Sequence, residues 1–200
     1  MYHMKRILTV FAVLLAFCTT GVVLGADTYV VDRIHTTVGF TVRHLVINKV
    51  RGKFNEFNGT IVYDEQDVTK SSLQGTINAA SIDTDHDKRD KHLCSPDFFD
   101  AAGYPEITFK SRRVEKDDDG LLLVGDLTMR GTTKEVRIPF EITGKIKDPS
   151  GNIRIGFEAT LRIDRQEFGI SYSKTMDNGG LIVGNRVNIE LVGEAILQAD

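Results

Sequence analysis

Hydrophobic residues recur at every second position through most of this chain, and no other feature limits its fold as strongly. Val136, Ile138, Phe140 and Ile142 share one phase, with Arg137 and Glu141 on the other. Ile155, Phe157, Ala159, Leu161 and Ile163 repeat the pattern, as do Val38, Phe40 and Val42 against Thr37, Thr41 and Arg43. Successive side chains of a strand point to opposite faces, so each stretch reads as a strand with one buried and one wetted face. The phase shifts between Phe54 and Phe57, which predicts a bulge near Asn55-Glu56 within a strand running from Val50 to Tyr63. Leu73, Gly75, Ile77 and Ala79 mark a third strand, and Ile107 and Phe109 begin a fourth. Leu121, Leu123 and Leu127 belong to a fifth, and Val187, Ile189, Leu191 and Ala195 close the chain.

The connections are mostly short. Asp117-Asp118-Asp119-Gly120, Gly131-Thr132 and Pro149-Ser150-Gly151-Asn152 hold the residues that tight turns need. Eight strands, apolar on one face and joined largely by hairpins, predict an all-β fold closed as an antiparallel up-and-down barrel rather than a sandwich. A barrel of that size holds either packed side chains or one small ligand. Gly75, Ala79, Gly125, Gly144 and Ala159 fall on the inner phase. Singly, such residues relieve curvature; together they point to a cavity.

One long break interrupts the pattern, from Ser81 to Ser111, after the third strand. Asp87 to Leu93 predicts a helix of about two turns, with Asp early and Lys91 and His92 late, as the helix dipole prefers. Ser95-Pro96 ends it, because proline cannot continue the hydrogen-bonded turn. Phe98 and Phe99 follow, placed to project into or over the barrel end, with Arg89 and His92 at its rim.

Lys5-Arg6, the apolar run Ile7 to Cys18 and the small-residue site around Gly25 read as a secretory signal peptide over residues 1–25. Residues 26–200 then form one domain, with no stable membrane insertion once the signal is cleaved. The whole chain carries a formal charge of −3, and loss of Lys5 and Arg6 makes it more acidic. A basic footprint for nucleic acid is missing. Cys94 is the only cysteine left after cleavage, so no internal disulfide is expected and the thiol is available to pair between chains.

Catalytic and metal chemistry are weakly supported. Asp83-x-Asp85-x-Asp87 opens like a calcium loop, but Lys88 stands where glycine is needed and Cys94 where glutamate is needed. His35, His44, His86 and His92 lack the helical i, i+4 spacing of a zinc pair, and Cys94 has only His92 beside it in sequence. No catalytic residue, metal site or cofactor is expected. An apolar cavity with a polar mouth is the better-supported site.

Five segments stand out in order: Ile34–His44, Arg89–Leu93 continued by Asp97–Asp100, Tyr104–Ser111, Gly125–Gly131 and Arg165–Ile170. Together they resemble the YceI-like family of exported bacterial lipid-binding proteins. The resemblance spans Asp27 to Ala195. It implies a lipocalin-like barrel and a periplasmic, often homodimeric protein without a catalytic centre. Its lumen would hold a long isoprenoid lipid, a polyprenyl phosphate or an isoprenoid quinone, for transport, storage or sequestration. Alternation and the resemblance together nominate Phe40, Val42, Phe109, Leu127, Phe140, Phe157, Leu161, Phe168 and Ile170 as tail contacts. Leu93, Phe98 and Phe99 are nominated at the mouth, with Arg89 and His92 for the head group. Two other readings stay open: an enzyme or redox helper acting on a quinone-like ligand, and a secreted interaction or inhibitor module that uses the 83–94 cap.

Overall fold

Alternating sequence becomes strand where its apolar phase finds a shared interior to face. In the computed structural model, which describes residues 25–45, 47–118, 120–174 and 182–198, eleven strand segments form. They are β1 (Asp27–Val31), β2 (Thr37–His44), β3 (Asn48–Phe54), β4 (Phe57–Tyr63), β5 (Ser72–Asn78), β6 (Ile82–Asp83), β7 (Glu106–Asp117), β8 (Gly120–Met129), β9 (Thr132–Lys147), β10 (Ile153–Asp164) and β11 (Val183–Leu197). The expected signal peptide, apart from Gly25, lies outside the described residues.

Every pairing is antiparallel, and β1 meets both β4 and β11, which closes the ring. β1 and β2 lie along the same edge of β11, against residues 195–197 and 183–192 respectively. They act as one interrupted stave, and β3 with β4 forms the stave beside it. Counted by staves, the fold is the closed eight-stranded antiparallel barrel expected from the alternation.

The interruption is sharper than a bulge. β3 stops at Phe54 and β4 starts at Phe57, and the two have different partners along their outer edges. The neighbouring stave carries the surplus: Val30 pairs with Thr60 and Val38 with Phe54, eight positions against six. Residues 32–36 absorb the two extra residues. The Asp32 N–H donates to the Glu194 carbonyl at 2.9 Å, and the Thr36 hydroxyl donates to the same oxygen at 3.2 Å.

A second irregularity bends β7 against β8 between Ser111 and Arg113. Gly125 sits beneath it, where a Cβ would collide with the Lys110 carbonyl and the Ser111 backbone. That small inner-phase residue therefore serves strand crossing rather than cavity volume.

The helix α1 spans Asp87–Leu93, as the sequence predicts. Its N-cap is His86, whose Nδ1 accepts from the Arg89 N–H at 3.3 Å. Asp90 works backwards, accepting from the backbone N–H and the hydroxyl of Thr84. The cap is thereby tied to β6 and, through β6, to β3.

Apolar side chains collect in three clusters. Tyr29, Ile61, Ile155, Phe157 and Ala195 form one, and Val114, Leu123 and Ile138 form another. Both lie toward the end where β7 turns into β8. The largest, including Val38, Phe54, Phe98, Ile107, Leu127, Met129, Phe168 and Ile170, lies toward α1.

Candidate functional site: an apolar cavity beneath the helical cap

A cavity of about 210 Å³ occupies the barrel interior beneath α1. Along β10 its wall extends from Phe157 through Leu161 to Ile163, six residue steps or roughly 20 Å of strand. An apolar wall of that extent suits a hydrocarbon chain. Its mouth-side wall comes from Leu93 at the end of α1, from Phe98 and Phe99 after it, and from Val42 and Val183 on the neighbouring staves.

Aromatic packing builds this wall. Phe40 and Phe54 meet at a 45° tilt with 5.8 Å between ring centroids, and Phe99 meets Phe54 edge-on at 5.8 Å. Phe40 pairs across the sheet with Gly52 and covers it, leaving no room for a Cβ at that position. Phe98 is buried and packs against Tyr172 at 4.9 Å, with His92 edge-on to both. Pro96 and Phe98 are fixed from below by Arg130, in the β8–β9 turn. Its guanidinium donates to the carbonyls of Pro96 at 2.7 Å, Phe98 at 2.9 Å and Gly169 at 2.8 Å.

Of the residues nominated from sequence, Phe40, Val42, Leu93, Phe98, Phe99, Phe109, Leu127, Phe157, Leu161 and Ile170 line the cavity. Four do not. Phe140 faces inward but packs around Val114, Leu123 and Ile138, because it pairs with Leu121 near the opposite end of the barrel. Phe168 is 1% exposed within the core. It ends a 3₁₀ turn, Arg165–Phe168, in which residues three apart share a face, so strand alternation no longer describes it. Arg89 folds onto its own cap, donating to the Thr84 hydroxyl and carbonyl, both at 2.7 Å. His92 turns outward to Asp97 at 2.8 Å. The head-group pair expected at the rim therefore belongs to the cap's own framework.

Sequence reasoning missed Arg165, the only charged residue on the cavity wall among the described residues. It is 4% exposed and has no carboxylate within ion-pair distance among the described residues. The guanidinium instead donates to the carbonyls of Ile170 at 2.6 Å, Gly184 at 3.0 Å and Val183 at 3.3 Å, and to Asn185 Oδ1 at 3.2 Å. It stitches the 3₁₀ turn to the start of β11. Burial lowers its pKa from the usual arginine value, and the charge of Asp164 opposes this more weakly. Four of its five N–H donors are used, which leaves one on Nη1 for an acceptor. The strand-to-turn change at Asp164-Arg165 was the available signal, since alternation stops there.

The groups that suggested other chemistry have local partners. Asp83 accepts from the Asp85 N–H and from Asn55 Nδ2, at 2.9 and 3.1 Å. Asp32, His35 and Glu194 come close enough to hold a metal ion. Arg154, however, already bridges Asp32 at 2.6 Å and Glu194 at 3.1 Å, and it supplies the positive charge that a metal would bring. The Cys94 thiol is half-buried and directed at the Ala80 carbonyl. Burial, and secondarily Asp90, pushes its pKa up, which disfavours the reactive thiolate. Among the described residues no helix is long and apolar enough to cross a membrane.

Comparison with known proteins agrees with this architecture. The family model described as the YceI-like domain matches residues 29–195. Protein YceI of Escherichia coli is 41% identical over 154 residues, covering 76% of this chain and 80% of that one. The crystal structure of the Campylobacter jejuni YCEI protein superposes with a TM-score of 0.67 at 31% identity, covering 78% of this chain and 90% of the other. A polyisoprenoid binding domain from Saccharophagus degradans, implicated in plant cell wall breakdown, shares the fold at 14% identity. Its TM-score is 0.61, with 86% of this chain and 99% of that chain covered.

Proposed function

The chain belongs to the YceI-like family, and on that premise we propose that it is a non-enzymatic periplasmic protein that holds the tail of a long-chain isoprenoid lipid in its barrel. The observation that carries this reading is the cavity inside the barrel, apolar along its wall apart from one buried arginine and a few neutral polar side chains. A polyisoprenoid-binding domain with the same fold supports the choice of lipid class. Burial of each methylene contributes about 0.8 kcal/mol, so a multi-prenyl tail binds without a charged anchor. The polar head, a phosphate or a quinone carbonyl, then comes to Arg165 rather than to Arg89 or His92. Such a protein carries, stores or sequesters its lipid.

Native mass spectrometry of protein purified from its own periplasm, followed by organic extraction, tests this. Wild type and Asp118→Ala, altered in the β7–β8 hairpin, are expected to retain a stoichiometric isoprenoid. Leu161→Asp, which puts a charge on the wall, is expected to lose it. Equal lipid content in all three would remove the lipid from the barrel interior.

A further inference from the structure

The outer surface of the barrel is unevenly charged. On the outer face of β7, β8 and β9 four cations have carboxylate partners: Arg112 pairs with Asp126 and Glu135, Arg113 and Arg137 with Glu115, and Lys145 with Glu65 and Asp27. The outer face of β10, β11, β2 and β3 near the β2–β3 turn is different. Lys49, Arg51, Arg162 and Arg186 stand exposed there with no carboxylate partner among the described residues. Cross-strand register aligns them, with Arg162 opposite Asn188, Asn188 opposite Thr41 and Thr41 opposite Arg51. Arg43 lies directly opposite Lys49 in the register. Asp164, opposite Arg186 in the register, is the only acid among the described residues of the polar groove that Lys49, Arg162 and Arg186 border. This concentration occurs on a chain whose net charge is −3.

The turn beside this face adds an apolar tip. Ile47 is 85% exposed, and Leu45 is half-buried with a backbone φ of 51°, held by its N–H to the Ile182 carbonyl at 2.8 Å. An isoleucine at the tip of a hairpin contributes nothing to the core and exposes apolar area to water. Val42 and Val183, which line the cavity, flank the same turn through the pairing of His44 with Val183. The foot and the mouth-side wall of the cavity are one piece of structure.

We propose that the β2–β3 turn and the cationic face beside it dock the protein onto the surface of an anionic phospholipid bilayer. Basic side chains near such a surface each strengthen binding roughly fivefold, within a Debye length. The apolar tip selects this occupant over a soluble polyanion, because Ile47 gains only where it can enter the interfacial layer. Docking here brings the cavity end against the membrane.

The test is sedimentation of the full mature protein with phosphatidylcholine vesicles, with and without 30% phosphatidylglycerol. Neither vesicle contains isoprenoid, so the result does not depend on the proposed ligand. Wild type is expected to bind only the anionic vesicles and to be released by 0.5 M salt. Lys49→Glu with Arg51→Glu is expected to weaken binding at least tenfold, and Ile47→Asp at least threefold, both with unchanged circular dichroism. Extracted lipid from the same variants is expected to match wild type, which separates loss of docking from loss of the barrel ligand. Equal binding to both vesicles, binding to neither, or variants that sediment like wild type would overturn the proposal. So would binding that Ile47→Asp leaves intact while charge reversal abolishes it, since that pattern describes a soluble polyanion or an acidic protein.

Discussion

At the end of the barrel where β7 turns into β8, Tyr29, Ile155 and Ala195 are completely buried in one apolar cluster, and Leu73 packs against both it and the cluster of Val114, Leu123 and Ile138. Beneath α1, the same kind of alternating strand lines the cavity, and the closure comes from a cap, a 3₁₀ turn and arginines bonded to main-chain carbonyls. Both ends obey one sequence rule and one strand geometry. They differ in what meets the inward side chains: other side chains at one end, open space at the other. Stability concentrates in the first and the capacity to hold a guest in the second.

The sharpest way to break that comparison is to truncate equivalent inward residues at both ends. Ile155→Ala is expected to cost about 2–5 kcal/mol, because its neighbours cannot close over the lost volume. Leu161→Ala, already facing the cavity, has fewer contacts to lose and should cost about 2 kcal/mol or less. Urea midpoints with unchanged slopes read the difference, and equal losses would mean that the two ends are packed alike.

A smaller effect is expected from Arg130→Ala, which deletes three bonds to the carbonyls of Pro96, Phe98 and Gly169. The cost should be about 1–3 kcal/mol. Amide exchange should accelerate through residues 87–104 and leave β1 and β10 as slow as before. Uniform acceleration would deny the cap its independence from the packed end.

The third prediction concerns the outside of the packed end, where Arg154 bonds to Asp148 at 2.8 Å as well as to Asp32 and Glu194. The Arg154 guanidinium, helped by His35, holds the Asp32 carboxyl well below the usual carboxylate range, and Arg154 with Asn152 does the same for Asp148. Depressed carboxyls stabilise the fold fully above their unfolded pKa of about 4, and that contribution fades as pH falls through the folded values. Arg154→Met should therefore lower the urea midpoint at pH 7, with a deficit that shrinks below about pH 4. A deficit independent of pH would assign Arg154 a packing role only.

Much of the architecture was legible before any coordinates. Helix α1 appears at the predicted residues because its dipole pattern and the following Ser95-Pro96 are local signals. The closed barrel follows from eight alternating stretches with hairpin turns between them. The phase shift between Phe54 and Phe57 was legible too. The larger irregularity at residues 32–36 was not, because its surplus shows only against the partner stave. Within the candidate site, ten nominated residues reach the cavity wall. Phe140 does not, because alternation says which side of a strand a residue occupies and not how far along the barrel it lies. Phe168 does not, because the chain leaves strand geometry at Asp164. Arg89 and His92 were placed by nearness in sequence to Phe98, and short-range hydrogen bonds within the cap turned them elsewhere.

The sequence by itself determined the strands, their inward faces, the helix and its end, since each rests on the conformational preferences of a few adjacent residues. Tertiary structure decided which inward faces pack and which enclose space, and it brought Arg165 to the cavity wall and left Lys49, Arg51, Arg162 and Arg186 together with no carboxylate partner among the described residues. Those outcomes depend on strand register around a closed ring. Register sets distances between residues more than a hundred positions apart, which a local pattern does not carry.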